Sequence, residues 1–273
     1  MKYLHVDGCS FTWGLGLDNP QKENWGAFLG NKLELSVRNY SMPGQGNDEM
    51  FRKVYELFYL PNNLPNVIVI QLSELTRIRI FDDITMEWKS ANPHEWDLPK
   101  KTYDYYWKHY YSVYQNLYYL FVHMLLLKDK CDSLGIEFYV FDGICKINSH
   151  CLGDDPEDSR LTKLNILPQK YLYHHGEYPV EKIQRYKTEV KLLDLYQTVK
   201  DKNFLLYNGD YSWNQIKSNE KVFKEGHELF WKDRNGQPKN GEWSLNCDHP
   251  TKESHEFMAN ELYNFIGEPN EKV

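Results

Sequence analysis

The run Val67-Ile68-Val69-Ile70 constrains the fold of this chain more than any other feature of its sequence. Every residue in it is apolar and β-branched, so neither face of a strand built from it suits contact with water. Strands at the surface of antiparallel sheets alternate between apolar and polar residues, whereas strands inside parallel sheets are apolar on both faces because helices cover them. Residues 66–72 are therefore predicted to form a central strand of a parallel sheet.

The rest of the chain alternates between strand-like and helix-like segments. Further strands are expected at residues 3–6, 37–42, 136–141 and 204–207, and helices at residues 24–33, 48–59, 103–133, 180–199 and 251–266. We expect Asn47 or Asp48 to cap the second of these helices. The alternation favours a doubly wound, flavodoxin-like fold, with three layers (α/β/α) around a parallel sheet of about five strands.

The length of 273 residues suits a single domain, residues 1–273, that can bury a sizeable core. Residues 145–202 are polar, punctuated by proline and rich in Lys and Glu. We expect them to form a helical insertion in that domain, with a lid over the functional site as its candidate role.

Composition bounds the partners of the protein. With 39 acidic and 32 basic residues the formal charge is -7, so the basic excess that favours nucleic acid is missing and we expect no nucleic-acid partner. The chain reaches Asp7 and Gly8 before an apolar signal core could develop. No apolar run approaches the roughly 20 residues that a membrane-spanning helix needs. We therefore expect a cytoplasmic protein without a membrane partner.

The cysteines indicate reduced thiols. They are odd in number and lack paired C-x-x-C spacing, which argues against both a disulfide framework and a zinc site. The five are Cys9, Cys131, Cys145, Cys151 and Cys247. We expect the protein to use neither a metal nor another cofactor.

Residues 8–14, Gly-Cys-Ser-Phe-Thr-Trp-Gly, come directly after the first expected strand. Ligands of open α/β sheets bind at the carboxyl ends of the strands, so Ser10 is well placed for chemistry. A serine hydroxyl is a poor nucleophile and needs a base. His249 lies in the loop before the last expected helix, again at the carboxyl edge of the sheet. Ser10 and His249 can therefore meet as nucleophile and general base.

These two blocks resemble those of the SGNH (GDSL) hydrolases. The first block of that family reads Gly-Asp-Ser with a glycine four residues beyond the serine, and its last block places His-Pro just before the terminal helix. The resemblance implies an esterase in which Ser10 carries the acyl group and His249 is the base. It implies an O-acyl ester substrate, either a small molecule or a carbohydrate, and an acetyl group on a carbohydrate is one candidate.

The middle blocks resemble the family less closely. Residues 39–44 resemble its second block, an asparagine followed by a glycine five residues later. The resemblance implies that the N–H groups of Ser10 and Gly44 hold the oxyanion, with Gly46 and Asn47 as competitors of Gly44. The third block, Gly-x-Asn-Asp, aligns with residues 71–74, Gln-Leu-Ser-Glu, so the asparagine donor is replaced. Ser73 or Asn47 is expected to substitute for it.

Two further departures concern the triad and its surroundings. Cys9 stands where the family has aspartate before the serine. The family's aspartate three residues before the histidine falls on Asn246, while Asp248 adjoins His249. Asp248, Asn246 and a backbone carbonyl are therefore the candidates for orienting the imidazole.

Several alternatives stay open. Trp13 and Arg77 are candidate substrate-binding residues, and the tyrosine-rich residues 103–119 suit either helix packing, which we favour, or a sugar-binding wall. The same fold could transfer the acyl group to a sugar hydroxyl, or could bind a glycan or a protein without turnover. In a third version Cys9 is the nucleophile, because a thiolate depends less on a base.

Overall fold

The computed structural model of the chain describes residues 2–59, 63–73, 75, 77–92, 95–96, 113–141, 190–202, 205–206, 250 and 252–267. The strands, in chain order, are β1 (Tyr3–Asp7), β2 (Ser36–Asn39), β3 (Val67–Gln71), β4 (Arg79–Asp82), β5 (Glu87–Asn92), β6 (Glu95–Trp96), β7 (Glu137–Phe141) and β8 (Leu205–Leu206). The helices are α1 (Ser10–Trp13), α2 (Pro20–Glu23), α3 (Trp25–Lys32), α4 (Asn47–Leu57), α5 (Val113–Ser133), α6 (Val190–Asp201) and α7 (Lys252–Ile266).

Five parallel strands form the central sheet, in the order β2-β1-β3-β7-β8. This is the flavodoxin-like order, in which the chain winds outward in one direction after β1 and in the other after β3. The strands are closely aligned, with Asp7 at the end of β1 opposite Ile70 of β3. The doubly wound parallel sheet expected from the sequence is confirmed. Its topological switch point lies between the carboxyl ends of β1 and β3.

Helices cover both faces of this sheet. On one side, the α3 face, α3 packs against β1 and β2, and α7 packs against α3. On the other side, the α4 face, α4 packs against α5. Successive strand residues point to opposite faces. Val6 accordingly lies against Gly26 of α3, where an added Cβ would come within 2.9 Å of it, while Asp7 faces the α4 side.

The helix expected at 24–33 is present as α3, whereas the expected cap of α4 was wrong. The helix α3 begins at Trp25 because Asn24 is extended and its side-chain oxygen accepts the Ala27 N–H at 2.8 Å as the N-cap. The short helix α2 lies before it. The cap of α4 is Gly46, and neither Asn47 nor Asp48 fills that role. Asn47 is instead the first residue of the helix, and its side chain forms hydrogen bonds with the backbone of Ser73.

A second sheet, which the sequence did not lead us to expect, follows β3. It is a three-stranded antiparallel sheet in the order β4-β5-β6. Asp82 stabilises its first turn, because Oδ1 accepts the N–H groups of Ile84 and Thr85 at 2.9 and 3.4 Å. The strands are short and mostly polar, so neither length nor alternation distinguishes them from a loop.

Some expectations lie outside the described residues. Of the helix expected at 103–133, the structure describes the part from Val113 onward. Of the insertion at 145–202, it describes α6 and the residue that follows it. The single domain and the lid therefore stay predictions. Within the described residues, no helix is both long and apolar enough to cross a bilayer.

Candidate active site

Ser10 is the first residue of α1 and follows β1 after a two-residue turn. It is 7% exposed, so little of the residue reaches solvent. Gly8 permits this turn, because an added Cβ would lie 2.0 Å from Thr12 Oγ1 and 3.1 Å from Gln71 Cβ. The structure thus places Ser10 at the switch point of the sheet, where this fold binds ligands.

Cys9, the N-cap residue of α1, has its side chain in the core on the other side of the turn. It is fully buried among Leu4, Val6 and other apolar side chains. A thiol enclosed in this way cannot meet a substrate without rearrangement of the turn. This burial favours Ser10 over Cys9 as the nucleophile.

The second sequence block lies against the nucleophile helix. Asn39 Nδ2 donates to the carbonyl oxygen of Thr12 at 3.1 Å, and its Oδ1 accepts the N–H of Ser41 at 3.0 Å. The N–H of Met42 donates to the carbonyl oxygen of Gly8 at 3.3 Å. The bonds to Thr12 and Gly8 join the end of β2 and the loop after it to α1 and to the turn before α1. The asparagine of this block therefore positions the loop.

Gly44 forms the tip of the same loop. Its φ of +76° lies in the left-handed region, which glycine adopts without strain. No described residue accepts a hydrogen bond from its N–H. A backbone donor without a protein acceptor suits an oxyanion.

The third block is joined to α4 by a reciprocal pair of hydrogen bonds. Asn47 Nδ2 donates to the carbonyl oxygen of Ser73 at 3.1 Å, and Asn47 Oδ1 accepts the Ser73 N–H at 2.7 Å. Ser73 is 8% exposed, and its Oγ has no hydrogen-bond partner in the described part of the chain. A buried hydroxyl without a partner is costly, which makes it a candidate donor to a ligand. Of the two expected substitutes, Ser73 thus has the available donor and Asn47 holds it in place.

The two candidate substrate-binding residues lie at different places around the site. Trp13, at the end of α1, is 38% exposed. Arg77 passes closely over the start of α4, since an added Cβ on Gly46 would lie 2.3 Å from its carbonyl oxygen. The neighbouring Arg79 is already engaged, because its guanidinium pairs with the buried Glu49 at 3.0 Å.

The helix that follows the histidine block is anchored beside α3. His255 Nδ1 accepts the Trp25 N–H at 3.1 Å, and Lys252 Nζ lies 3.0 Å from Glu23 Oε1. Pro250, next to the expected base, is buried. His249, Asp248 and Asn246 themselves lie outside the described residues. Their roles stay predictions.

A buried cluster on the α3 face links this anchor to the nucleophile helix. The indole Nε1 of Trp25 donates to Gln71 Oε1 at 3.1 Å and to Thr12 Oγ1 at 3.3 Å. Thr12 in turn donates to Gln71 Oε1 at 2.5 Å. Sequence reasoning missed Trp25 and Gln71. The available signal was Gln71 itself, a polar residue at the end of an otherwise apolar strand.

A second cluster, also missed, lies on the α4 face. Asp7 Oδ1 accepts the Gly8 N–H at 2.8 Å and Gln45 Nε2 at 3.0 Å. Burial raises the pKa of Asp7 to about 7, against the opposing effect of Lys53. On the same strand, His5 is fully buried, and burial lowers its pKa to about 3. His5 lies in the first expected strand and Asp7 directly after it, and the observed β1 includes both. The available signal was an ionisable residue beside apolar ones.

No protein-family model and no curated protein sequence matches the chain. Among solved structures, it is similar to the psychrotrophic esterase EstA from Pseudoalteromonas sp., at 13% identity and a TM-score of 0.46, over 97% of each chain. A lipolytic protein of the G-D-S-L family from Desulfitobacterium hafniense is 13% identical, with a TM-score of 0.42, over 97% of this chain and 99% of that one. The acetyl xylan esterase AlAXEase is 10% identical, with a TM-score of 0.40, over 97% and 100%.

Identities and TM-scores of this size assign no residue and no substrate, so any role for the site rests on its own geometry.

Proposed function

We propose that this protein is an SGNH-type serine esterase that hydrolyses an O-acyl ester. Ser10 attacks the ester carbonyl, His249 takes the proton of its hydroxyl, and the alcohol leaves as His249 returns that proton. Water then attacks the acyl-enzyme with His249 as base, and the carboxylic acid leaves. Asp248 or Asn246 orients the imidazole.

The observation that carries the proposal is the position of Ser10 at the switch point. It begins a buried helix at the carboxyl end of β1, beside the end of β3. The loop with Gly44 is hydrogen-bonded to the same turn. Nucleophile and candidate oxyanion donors therefore belong to one rigid part of the molecule, as preorganised stabilisation of charge requires.

The proposed oxyanion hole contains the N–H groups of Ser10 and Gly44 and the hydroxyl of Ser73. Ser73 takes the place of the family's asparagine side chain, and its buried Oγ has no partner among the described residues. Asn47 acts through Ser73, because both of its hydrogen bonds go to the Ser73 backbone. Trp13 and Arg77 are proposed to contact the substrate outside the reacting group.

The test is hydrolysis of p-nitrophenyl acetate by wild type and by Ser10→Ala, His249→Ala and Cys9→Ala, each checked for folding. We expect Ser10→Ala and His249→Ala to lower kcat by at least about 1,000-fold, because either change removes the nucleophile or its base. Cys9→Ala is the matched control at the adjacent position, and it should retain activity. A fluorophosphonate should label wild type at Ser10.

Other outcomes would redirect the proposal. A wild type that neither turns over nor labels would favour a binding protein on the same fold. Loss of activity in Cys9→Ala with retention in Ser10→Ala would identify the thiol as the nucleophile. Transfer of the acyl group to an added sugar, without release of acid, would identify an O-acyltransferase.

The role of Ser73 is tested separately. Ser73→Ala should lower kcat by about 100-fold and change KM little, because a donor to the oxyanion acts mainly in the transition state. Ser36→Ala is the control, since Ser36 lies at the amino end of β2 and its hydroxyl donates to the carbonyl of Lys2. An unchanged kcat in Ser73→Ala would exclude its hydroxyl from the oxyanion hole.

A further inference from the structure

Asp7 is a buried carboxyl group three residues before the proposed nucleophile. It is the last residue of β1 and has no exposed surface. One oxygen, Oδ1, accepts the N–H of Gly8 and the side-chain Nε2 of Gln45. The other, Oδ2, has no partner among the described residues. Burying a carboxyl group with one unpaired oxygen lowers the stability of the fold. The groups that Asp7 joins explain why it is there.

Those groups are the two halves of the proposed site. Gly8 belongs to the turn that presents Ser10, and Gln45 directly follows Gly44 in the loop with the candidate oxyanion donor. Gln45 is itself fixed, because its Oε1 accepts Lys53 Nζ at 2.9 Å. The ammonium group of Lys53 also donates to the carbonyl of Tyr40 at 2.7 Å, in the same loop. A continuous set of buried hydrogen bonds thus runs from the nucleophile turn through Asp7 to the loop.

Charged groups on several elements face this cluster. Burial raises the pKa of Asp7, Lys53 of α4 lowers it and Glu49 of α4 raises it. Glu49 is paired with Arg79 at the start of the second sheet, which moderates its repulsion. His5, two residues earlier on β1, is neutral near pH 7 because burial lowers its pKa to about 3. Among the described residues, Lys53 is therefore the cation that interacts with the Asp7 carboxylate.

We propose that Asp7 is a positioning residue for the ester hydrolysis, which holds the Ser10 turn and the Gly44 loop at the spacing that the oxyanion requires. The inference rests on the proposed function of the site. Asp7 reaches neither substrate nor nucleophile and acts through Gly8 and Gln45. Its ionised form binds both donors more strongly than its neutral form, because hydrogen bonds to a carboxylate are charge-assisted.

The test is the pH profile of kcat for wild type and Asp7→Asn. Asparagine keeps a carbonyl oxygen in the place of Oδ1 but does not ionise. We expect kcat of Asp7→Asn at pH 8 to be about tenfold lower than that of wild type, with KM within about twofold. This is the pattern when the catalytic groups are misplaced but substrate binding is kept. The wild type should show an ionisation near neutral pH that is absent from Asp7→Asn, which should retain only the ionisation of His249.

A second variant and a control make the result independent of folding defects. Gln45→Met removes the donor from the loop side and should lower kcat with unchanged KM, as Asp7→Asn does. Ile70→Val is the control, because Ile70 lies opposite Asp7 in the sheet, is fully buried and has an apolar side chain. Its kcat and pH profile should be those of the wild type.

The outcomes separate this inference from the proposed function. If wild type hydrolyses the ester and labels at Ser10, but Asp7→Asn and Gln45→Met keep its kcat and pH profile, Asp7 has no positioning role. If wild type neither hydrolyses the ester nor labels, both the function and the role of Asp7 are overturned.

Discussion

The two faces of the central sheet hold the candidate site in different ways. On the α3 face, Thr12, Gln71 and Trp25 are joined by hydrogen bonds between groups that carry no charge. On the α4 face, β1 directs two buried ionisable groups, His5 and Asp7, toward a helix that carries Lys53.

The two faces therefore depend on pH to different degrees. Uncharged hydrogen bonds keep the same strength over the pH range in which the protein is folded, so the cluster of Thr12, Gln71 and Trp25 fixes geometry without depending on pH. Buried ionisable groups change their free energy as they titrate, so the α4 face responds to protons. The oxyanion loop is bonded to both faces, through Asn39 to Thr12 and through Gln45 to Asp7.

The largest expected effect concerns the stability of Asp7→Asn. The pKa of Asp7 rises from 3.8 in the unfolded chain to about 7 in the fold. Its contribution to the free energy of unfolding is therefore fully present below pH 3.8, where the group is neutral in both states, and is lost as pH rises through 7. At 1.36 kcal/mol per pKa unit, the loss is about 4 kcal/mol at pH 8. The free energy of unfolding of Asp7→Asn relative to wild type should increase by up to this amount between pH 4 and pH 8.

Urea unfolding at both pH values measures this difference. A difference that does not change with pH would mean that Asp7 is not buried as a neutral group. The same variant should lose kcat, so higher stability with lower activity would identify Asp7 as a residue kept for function at a cost in stability.

The next effect is of opposite sign. The pKa of His5 falls from 6.5 in the unfolded chain to about 3 in the fold. The free energy of unfolding is therefore not reduced by His5 above pH 6.5, and it decreases as pH falls below that value. His5→Phe keeps an aromatic ring against Tyr40, with which His5 is stacked at 4.6 Å between ring centroids. Relative to wild type, the free energy of unfolding of His5→Phe should be about 2 kcal/mol higher at pH 5 than at pH 7.5.

Thermal unfolding of His5→Phe at the two pH values provides the measurement. In the wild type, the slopes due to His5 and Asp7 oppose each other between pH 4 and 6.5. Its stability should therefore change less across that range than the stability of either variant, and a wild type steeper than both would contradict the comparison.

A smaller effect is expected on the α3 face. Trp25→Phe removes the indole donor to Gln71 and keeps the aromatic ring, so the free energy of unfolding should fall by about 1 kcal/mol. The loss should be the same at pH 5.5 and pH 8, because Thr12, Gln71 and Trp25 do not ionise there. Chemical denaturation at both pH values measures this loss. A loss of stability that differs between the two pH values would mean that the cluster on the α3 face also depends on pH.

The smallest effect concerns the surface contact of α7. Lys252 pairs with Glu23 at 3.0 Å, but both lie near solvent. We expect Lys252→Met to leave Tm unchanged within about 1 °C, because exposed ion pairs stabilise little. His255→Leu removes the buried acceptor of the Trp25 N–H and should lower Tm by several degrees. Equal shifts would mean that the helix is held at its surface.

Much of the fold could be predicted from the sequence because its signals are local. The apolar run of β3 requires helices on both faces, and alternation with helical segments leads to a doubly wound sheet. The position of Ser10 after β1 followed from the same pattern. The antiparallel sheet of β4, β5 and β6 could not be predicted, because its strands are short and polar and are defined by pairing with one another.

The chemical types at the site follow from the order of residues along the chain. A serine after the first strand, a histidine before the last helix and a glycine in the second loop follow from residue identity and order. Three contacts depend on packing and are not readable from residue order: Asn47 binds the Ser73 backbone, Trp25 joins α1 to α7, and Asp7 joins the nucleophile turn to Gln45. These are contacts between segments far apart in the chain, and they exist because burial leaves each polar group no water to bind, so that its partner is whatever the packing brings within reach.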